Sequence, residues 1–206
     1  MEQLFEMKKT QVEMVQDRGY DIPEEELQLL DMSFRQFLSV NSEISRDELS
    51  QVYSFKGTPQ LMVNYLNRSQ DSKQISTEVV RLAIDQAKSL KLKELIIVIE
   101  IPLSSKAKED LTISGLKHQV FFDKDLSYNP TRHVDSPRHE LLTPTEAEEK
   151  LKELRADIGK LLIIKSTDPI VQYYNWPIGG IVRVYREDFG VSILAPKSVN
   201  YRVISV

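Results

Sequence analysis

Residues 168–186 read DPIVQYYNWPIGGIVRVYR, and this stretch decides the fold of the second half of the chain. Asp168 is of a type that caps helices, and Pro169 suits the first helical position, where its missing N–H costs nothing. Asn175 tolerates the left-handed conformation that ends a helix, and the two glycines after it favour a turn. The last six residues are rich in β-branched and aromatic types. The stretch therefore predicts a short helix, a turn and a strand that carries arginines among apolar residues.

The composition is that of an ordinary globular protein. The 206 residues are 41% hydrophobic and 28% charged, which fits one large or two small domains. There is no cysteine, so disulfides, thiolate zinc sites and cysteine nucleophiles are excluded. The formal net charge of −4 means that any contact with nucleic acid has to be local. The longest apolar run, Leu95–Ile99, is too short to span a bilayer, so no membrane partner is expected.

The first half of the chain alternates helical and strand patterns, which predicts a small α/β domain. A helix from about residue 4 should end near Gly19, and a second should run from Pro23 to about Leu38. The second helix is expected to bury its apolar residues, namely Leu27, Leu30, Phe34 and Phe37. The remaining elements are expected as strands at 51–55 and 61–66, a helix at 77–90 with Ser76 as its cap, a central strand at 94–100 covered on both faces, a short helix from Ser104 or Ser105 to about Leu111, and a strand at 119–122.

A polar run from Asp123 to Arg138 predicts a linker, which divides the chain into domains at 1–130 and 131–206. In the second domain we expect a helix at 145–154, a buried strand or extended segment at 161–164 and a closing strand at 199–204, besides the helix, turn and strand at 168–186. The expected fold class is therefore α/β plus α+β. It combines a first domain with a small sheet flanked by helices and a second with a small mixed sheet and short helices.

The chain shows no catalytic pattern. Its three histidines, at 118, 133 and 139, lack metal-ligand spacing. Acidic residues lie around the central strand, at Asp85, Glu94 and Glu100, and a metal-dependent nuclease with a restriction-type fold would place carboxylates there. Such a nuclease would also need a nearby lysine, but Ile101 and Pro102 follow Glu100. We therefore expect no metal, no cofactor and no catalytic residue, and keep the nuclease as the alternative.

One segment is suited to contact phosphate. It comprises Pro102, Ser104, Ser105, Lys106 and Lys108. Hydroxyls, free N–H groups at a helix start and lysines are what a phosphate contact uses. A capped helix with a solvated face would show the same residues, and the sequence alone favours that plainer interpretation.

Several stretches resemble the shared fifth subunit of eukaryotic DNA-directed RNA polymerases. EMVQDRGY at residues 13–20 is similar to the first-helix signature of that subunit. Residues 168–174, 179–186 and 201–203 resemble its C-terminal domain, and His139-Glu140-Leu141 resembles the start of that domain. The corresponding subunit of archaeal polymerases consists of this domain alone. The resemblance covers the whole chain in length and order.

The resemblance implies a noncatalytic structural subunit of a polymerase. The N-terminal domain would be a jaw beside downstream duplex DNA, with a restriction-type fold that lacks the nuclease site, and the C-terminal domain would pack against the largest subunit. The family's DNA-facing loop falls on Pro102–Lys106. Assembly residues would be Asp168, Pro169, Tyr173, Arg183, Arg186, Tyr201 and Arg202, although the arginines could equally support the domain from within. Isolated DNA binding should be weak, and no homo-oligomer is expected.

The chain also departs from the family pattern. PLSSK at 102–106 stands where the family has Thr-Pro-Ser-Ala, and LLII at 161–164 replaces Leu-Pro-Arg-Ile. LTPT at 142–145 stands in place of Val-Pro-Lys-His, and the segment at 187–198 is longer than the usual turn. These departures indicate a divergent lineage, and we favour a copy from a large cytoplasmic DNA virus, located in the host cytoplasm and the virion. A cellular copy would be nuclear.

Overall fold

A computed structural model describes residues 1–40, 45–68, 72–133, 135–186 and 198–206, with only the backbone of Val40 and Arg186. The chain forms two compact units, Met1–Asn129 and Pro130–Val206. The assignment of these parts as a jaw and an assembly domain stays a prediction. The expected segment at 187–198 lies outside the described residues except for Ser198. None of the described helices has the length and apolar character needed to cross a membrane.

The first unit contains six helices and four strands among its described residues. They are α1 (Glu2–Asp17), α2 (Glu24–Asp31), α3 (Phe34–Val40), β1 (Gln51–Phe55), β2 (Thr58–Leu66), α4 (Thr77–Ser89), β3 (Glu94–Ile99), α5 (Ser105–Ile113), β4 (Lys117–Phe122) and α6 (Asp123–Leu126). The sheet order is β1-β2-β3-β4. Strand β1 is antiparallel to β2, and β2, β3 and β4 are parallel. Helices α4 and α5 are therefore the crossovers of two consecutive βαβ units.

Strand β3 is central, as its apolar pattern predicted. Five of its six residues are buried. Leu95, Ile97 and Ile99 belong to the core under α4 and α5. The alternate residues of β3 point to the opposite face. On that second face Tyr53 of β1 receives a hydrogen bond from Gln11 of α1 at 2.7 Å, so α1 covers it.

The second predicted helix is divided into two, because the helical conformation is interrupted at Met32 and Ser33. Ser33 and Gln36 form a reciprocal cap: the Ser33 hydroxyl accepts from the Gln36 N–H at 3.4 Å, and Oε1 of Gln36 accepts from the Ser33 N–H at 2.8 Å. A new helix, α3, therefore starts here. Phe37 is buried as expected, but the inward assignment of Leu27 is wrong, because that side chain is exposed.

Two expectations for the middle of the first unit also need correction. Ser76 precedes α4 but its side chain makes no capping hydrogen bond, whereas Ser104 does cap α5. The polar run from Asp123 is not linker throughout, because α6 occupies its start and Leu126 is buried. Polar sequence alone could not reveal this, since Asp123 is held by Arg46, 77 residues away.

The second unit is a four-stranded mixed sheet with two helices among its described residues. Its elements are β5 (Arg138–Leu141), α7 (Pro144–Leu154), β6 (Leu162–Lys165), α8 (Pro169–Tyr174), β7 (Ile181–Arg186) and β8 (Ser198–Ser205). The strand order is β5-β7-β8-β6, with β6 parallel to β8 and the other pairs antiparallel. Its core consists of Ile164, Val171, Val182, Val184 and Ile204, with Leu141 and Trp176 packed against them. Helix α8 thus covers one face of the sheet.

A strand forms here, but the burial expected for 161–164 is wrong for most of its length. Leu162 and Ile163 are 60% and 62% exposed, and only Ile164 of β6 is buried. The reason is that β6 lies at the end of the strand order, where one side of the strand has no neighbour within the part of the chain that the structure describes.

Candidate functional site

The residues predicted to face DNA lie together at the start of α5. Ser104 is the N-cap, and its hydroxyl accepts a hydrogen bond from the Ala107 N–H at 3.2 Å. Ser105, Lys106 and Lys108 are exposed, and Pro102, which precedes the helix, is exposed too. The segment follows β3, so it lies at the carboxyl edge of the parallel strands, the edge at which α/β folds usually bind ligands.

A second helix begins beside this segment. The Ile75 N–H donates to the Pro102 carbonyl at 3.0 Å, and the Ser104 N–H donates to the Ile75 carbonyl at 3.3 Å. The hydroxyls of Thr77 and Ser104 are 3.4 Å apart. The N-termini of α4 and α5 therefore lie side by side, and both helix dipoles place partial positive charge there. Lys106 and Lys108 make no ion pair with the described residues, so their charges remain available to an anion.

Of the carboxylates considered for a nuclease, Asp85 is exposed on α4, and the other two lie far apart. Glu94 and Glu100 flank opposite ends of β3, about 20 Å apart at the usual rise per residue of a strand. Glu94 pairs with Lys117 at 3.0 Å, and Glu100 lies 3.6 Å from Arg68. No group of three or more metal-binding side chains occurs within the ranges that the structure describes. Nothing in this geometry favours the nuclease alternative.

Helix α8 has the caps that its sequence predicted. Oδ1 of Asp168 accepts a hydrogen bond from the Ile170 N–H at 2.9 Å, and Pro169 occupies the first turn. Asn175 ends the helix in the left-handed conformation, with φ 54°. Tyr173 is buried, so it supports the unit from within and does not present its ring to a partner.

Replacing Asp168 by Ala should lower the stability of the second unit by about 1 kcal/mol, the usual cost of losing an N-cap. Asp168→Asn should restore most of it, because the amide oxygen can still accept from the Ile170 N–H. Denaturant unfolding followed by fluorescence of the single tryptophan, Trp176, measures the change. Equal losses in both variants would contradict the capping role and point to the charge.

The arginines of the second sheet differ in their surroundings. Arg183 lies in a cross-strand network, with Nη1 3.1 Å from the Tyr185 hydroxyl and 3.4 Å from Glu140, and the Tyr185 hydroxyl donates to Glu140 at 2.8 Å. Its guanidinium also lies 5.9 Å from the ring centroid of Tyr201. These contacts favour internal support for Arg183 over a direct contact with a partner.

Arg202 is half-buried on the opposite face, and its Nε is buried with no hydrogen-bond partner among the described residues. It lies near His139, whose pKa is lowered mainly by burial and further by the Arg202 charge, against the opposing effects of the Pro137 carbonyl and Asp168.

Tyr201 lies on the face that α7 covers, where the Lys150 ammonium is 5.4 Å from its ring centroid. The side chain of Arg186 lies outside what the structure describes.

A set of exposed apolar side chains escaped the sequence analysis. In the second unit it comprises Leu154, Ile158, Leu162, Ile163, Ile178, Val199 and Val206, each more than 40% exposed. Contiguous exposed apolar groups mark surfaces that bind other proteins, and within this set Leu162 and Ile163 are adjacent in β6. The only local signal was LLII at 161–164, which reads equally well as a buried strand.

Comparison with known proteins finds a family match in each unit. Residues 1–91 match the family described as RNA polymerase Rpb5, N-terminal domain, and residues 128–204 match RNA polymerase Rpb5, C-terminal domain. The start of α5 lies between the two matches.

Three relatives illustrate the similarity. Subunit 5B of DNA-directed RNA polymerases IV and V of Arabidopsis thaliana is 26% identical over 199 residues, covering 96% of this chain and 88% of the relative. Subunit RPABC1 of DNA-directed RNA polymerases I, II and III of Caenorhabditis elegans is 26% identical over 208 residues, covering 98% of this chain and 95% of the relative. Subunit Rpo5 of the RNA polymerase of Archaeoglobus fulgidus is 39% identical over 72 residues, covering 35% of this chain and 90% of the relative. The chain therefore belongs to the Rpb5 family, the noncatalytic structural subunits of DNA-directed RNA polymerases.

Proposed function

We propose that this chain docks on the largest subunit of a multisubunit RNA polymerase through residues 131–206 and holds residues 1–130 as a jaw beside downstream DNA. The observation that supports docking by the second unit is the short length of the archaeal relative. An alignment of only 72 residues covers 90% of that relative. The resemblance equates the archaeal subunit with the C-terminal domain alone. A polymerase subunit made of that domain only must contain the docking surface, which supports docking by the second unit.

The surface of the second unit supports the same proposal. Leu162, Ile163 and Ile178 are each at least 60% exposed. Burying such side chains against a partner stabilises a complex by about 25 cal/mol for each Å² of apolar area removed from water. By contrast, Tyr173 is buried and Arg183 is bonded internally, so we propose that these two shape the docking surface. Pro169 is exposed and can contact the partner directly.

Purification of a tagged full-length chain from its native source tests the proposal. The large polymerase subunits should purify with it in equal amounts, and cross-linking mass spectrometry should join Lys160 or Lys165 to the largest subunit. Both lysines are exposed in the second unit. A chain that purifies alone from extracts that contain active polymerase would contradict membership in the complex, and cross-links confined to other subunits would contradict the docking partner.

The paired N-termini of α4 and α5 support the DNA half of the proposal. A phosphate beside them would meet two helix dipoles and the free lysines at 106 and 108. One local anion site on a chain of net charge −4 gives weak affinity in isolation. We therefore expect a dissociation constant for duplex DNA in the micromolar range or weaker at physiological salt, since a single patch supplies few phosphate contacts.

Lys106→Ala should weaken this DNA binding further and reduce the slope of log K against log salt by about 0.9, the loss of one phosphate contact. The matched control is Lys88→Ala, because Lys88 lies in the last turn of α4, at the far end from the paired N-termini. Fluorescence anisotropy of labelled duplex DNA at several salt concentrations measures both variants. Equal effects of the two substitutions, or nanomolar binding by the wild-type chain, would contradict the site.

The proposal includes a viral origin, with the chain in the host cytoplasm and the virion. Its support is divergence: identity to the Arabidopsis and Caenorhabditis subunits is only 26% across nearly the whole chain, and several family motifs are replaced. Mass spectrometry of purified virions and of nuclei from the same infected cells tests it. Finding the chain in nuclei of uninfected cells would assign it to a cellular polymerase.

A further inference from the structure

Among the described residues, strand β6 leaves one edge of the second sheet without a neighbouring strand. It is the last strand in the order β5-β7-β8-β6. Leu162 and Ile163 are 60% and 62% exposed. Neighbouring residues of a strand point to opposite faces, so both faces of this edge carry an exposed apolar side chain.

Part of the β6 backbone at this edge also lacks a hydrogen-bond partner among the described residues. The Ser166 N–H donates to the Ser205 carbonyl at 2.7 Å, so Ser166 directs its N–H toward β8. By the alternation of a strand, Leu162 and Ile164 do the same, and Ile163 and Lys165 direct their backbone groups outward. The Lys165 carbonyl is used by the Asp168 N–H at 2.9 Å. Among the described residues, the N–H and C=O of Ile163 and the N–H of Lys165 have no partner.

The opposite edge of the sheet is protected in the usual way. Strand β5 reads RHEL and carries charges at Arg138 and Glu140. The Arg138 guanidinium lies 5.4 Å from the ring centroid of Tyr185. Charged side chains on an edge strand oppose the addition of another strand. Along β6 the only charge is Lys165 at its end, so the two edges differ in whether they can accept a strand.

We propose that β6 accepts an extended segment of another polymerase subunit as an added strand, an inference that rests on the proposed membership in the complex. The segment would place apolar side chains beside Leu162 and Ile163 and a carboxylate beside Lys165. Lys165 is exposed and makes no ion pair with the described residues. A carboxylate on the added segment would complement this positive charge. Addition of a strand to a sheet edge is a common mode of peptide recognition.

A second copy of this chain fits the edge poorly. Residues 160–165 read KLLIIK, with a lysine at each end and no acidic residue. Pairing this segment with its own copy would bring lysines of the two copies together and supply no carboxylate. Like charges on facing strands destabilise the pair.

Hydrogen–deuterium exchange on the full chain, free and within the assembled polymerase, tests the added strand. In the free chain the amides of Ile163 and Lys165 should exchange within seconds, because they lack acceptors. In the polymerase we expect their exchange to slow at least 100-fold, since both would then be bonded to the added strand. Equally fast exchange in both states, with the chain fully incorporated, would overturn the proposal.

Substitutions at Ile163 distinguish the contribution of the backbone hydrogen bond to binding from that of the side chain. Ile163→Pro removes the outward N–H and leaves the bonds between β6 and β8, because Pro is tolerated on the free side of an edge strand. We expect it to weaken binding to polymerase stripped of this subunit at least tenfold, whereas Ile163→Thr, which keeps the N–H, should weaken it about two- to threefold. Ile113→Thr is the control for side-chain polarity, because Ile113 is 74% exposed and lies in the first unit, outside the docking surface.

Fluorescence of Trp176, which packs against the core of the second unit, shows whether each variant folds. Equal binding by a folded Ile163→Pro variant and the wild type would overturn the added strand and leave the proposed docking intact. A dimer of the free chain that Ile163→Pro dissolves would also overturn it, since a second copy would then occupy the edge. A wild-type chain that never enters the polymerase would instead overturn the proposed function.

Discussion

Replacing Arg46 by Ala is expected to lower the free energy of unfolding of the first unit by about 3 kcal/mol, the lower end of the cost of breaking a buried ion pair. Nη1 and Nη2 of Arg46 lie 2.5 and 2.6 Å from the two carboxylate oxygens of Asp123, and each side chain is only 15% exposed. Without Arg46 the Asp123 carboxylate loses both charge-assisted bonds while it remains largely shielded from water. The loss therefore exceeds that of an ordinary surface pair.

Arg46 also fixes the carboxyl ends of two strands. Its Nε donates to the Leu66 carbonyl at 3.3 Å, and Nη2 donates to the Val98 carbonyl at 3.2 Å. The segment that leads to α5 departs from this same edge, immediately after β3. We therefore expect Arg46→Ala to weaken DNA binding along with stability, although Arg46 makes no contact with the paired helix N-termini.

Urea unfolding followed by far-UV circular dichroism measures the loss. The matched control is Arg81→Ala, because Arg81 also lies 2.5 Å from a carboxylate, that of Asp110, but its side chain is 55% exposed. Exposed pairs contribute little to stability, so the control should leave the urea midpoint nearly unchanged. Equal shifts in the two variants would show that burial does not set the strength of the Arg46 pair.

What the sequence predicted well was local. Asp168, Pro169 and Asn175 act on backbone groups within a few residues of themselves, so their effects can be anticipated from chain order alone. The same is true of Ser104, whose hydroxyl caps the helix that follows it. The apolar run of β3 also predicted a central strand, because only a strand covered on both faces buries every residue.

What the sequence missed depends on contacts between distant residues. Arg46 and Asp123 are separated by 77 residues, and both stand in polar stretches that look like loop or linker. The exposure of Leu162 and Ile163 depends on the place of β6 in the strand order. A run of apolar residues in the sequence does not show where its strand will lie in the sheet. One miss was avoidable, because Ser33 and Gln36 have the spacing of a capping box inside the supposedly continuous helix.

Raising the pH above about 10.5 is expected to destabilise the first unit steeply, through two tyrosines on the sheet face that α1 covers. The Tyr53 hydroxyl accepts from Gln11 Nε2 at 2.7 Å and donates to Glu26 at 2.7 Å. The Tyr65 hydroxyl is buried and has no partner among the described residues. Burial is the main cause that raises the pKa of both phenols well above 10.

The sign follows from proton binding. Above pH 10 the unfolded chain releases both phenolic protons while the folded chain keeps them, so the free energy of unfolding falls by about 1.4 kcal/mol per pH unit for each tyrosine. Lys8 acts in the opposite direction at lower pH, because burial lowers its pKa from the ordinary 10.5 and the Glu26 carboxylate only partly restores it. Stability linked to Lys8 rises until the unfolded lysine also loses its proton, and beyond that pH the tyrosines dominate.

Tyr65→Phe should remove one of the two phenols that release a proton on unfolding above pH 10. The free energy of unfolding should then fall less steeply with pH, and the pH at which half of the protein unfolds should rise. At neutral pH the variant should be as stable as the wild type or up to about 1 kcal/mol more stable, because it deletes a buried hydroxyl that has no partner. Tyr53→Phe is the matched control. It also removes one proton from the slope, but it should cost about 1 to 2 kcal/mol at neutral pH, since Gln11 and Glu26 lose their shared partner.

Urea unfolding followed by circular dichroism at a series of pH values, together with absorbance of the ionised phenols, measures both tyrosine variants. An alkaline slope that Tyr65→Phe leaves unchanged would show that this phenol ionises in the folded chain, and a loss at neutral pH as large as that of Tyr53→Phe would show that its hydroxyl is bonded. Either result would contradict the buried and unbonded state of the Tyr65 hydroxyl, since Tyr65 is only 1% exposed. The cation–π contact of Arg46 with the Tyr65 ring, at 5.4 Å, is retained in phenylalanine. The comparison therefore isolates the hydroxyl from the ring.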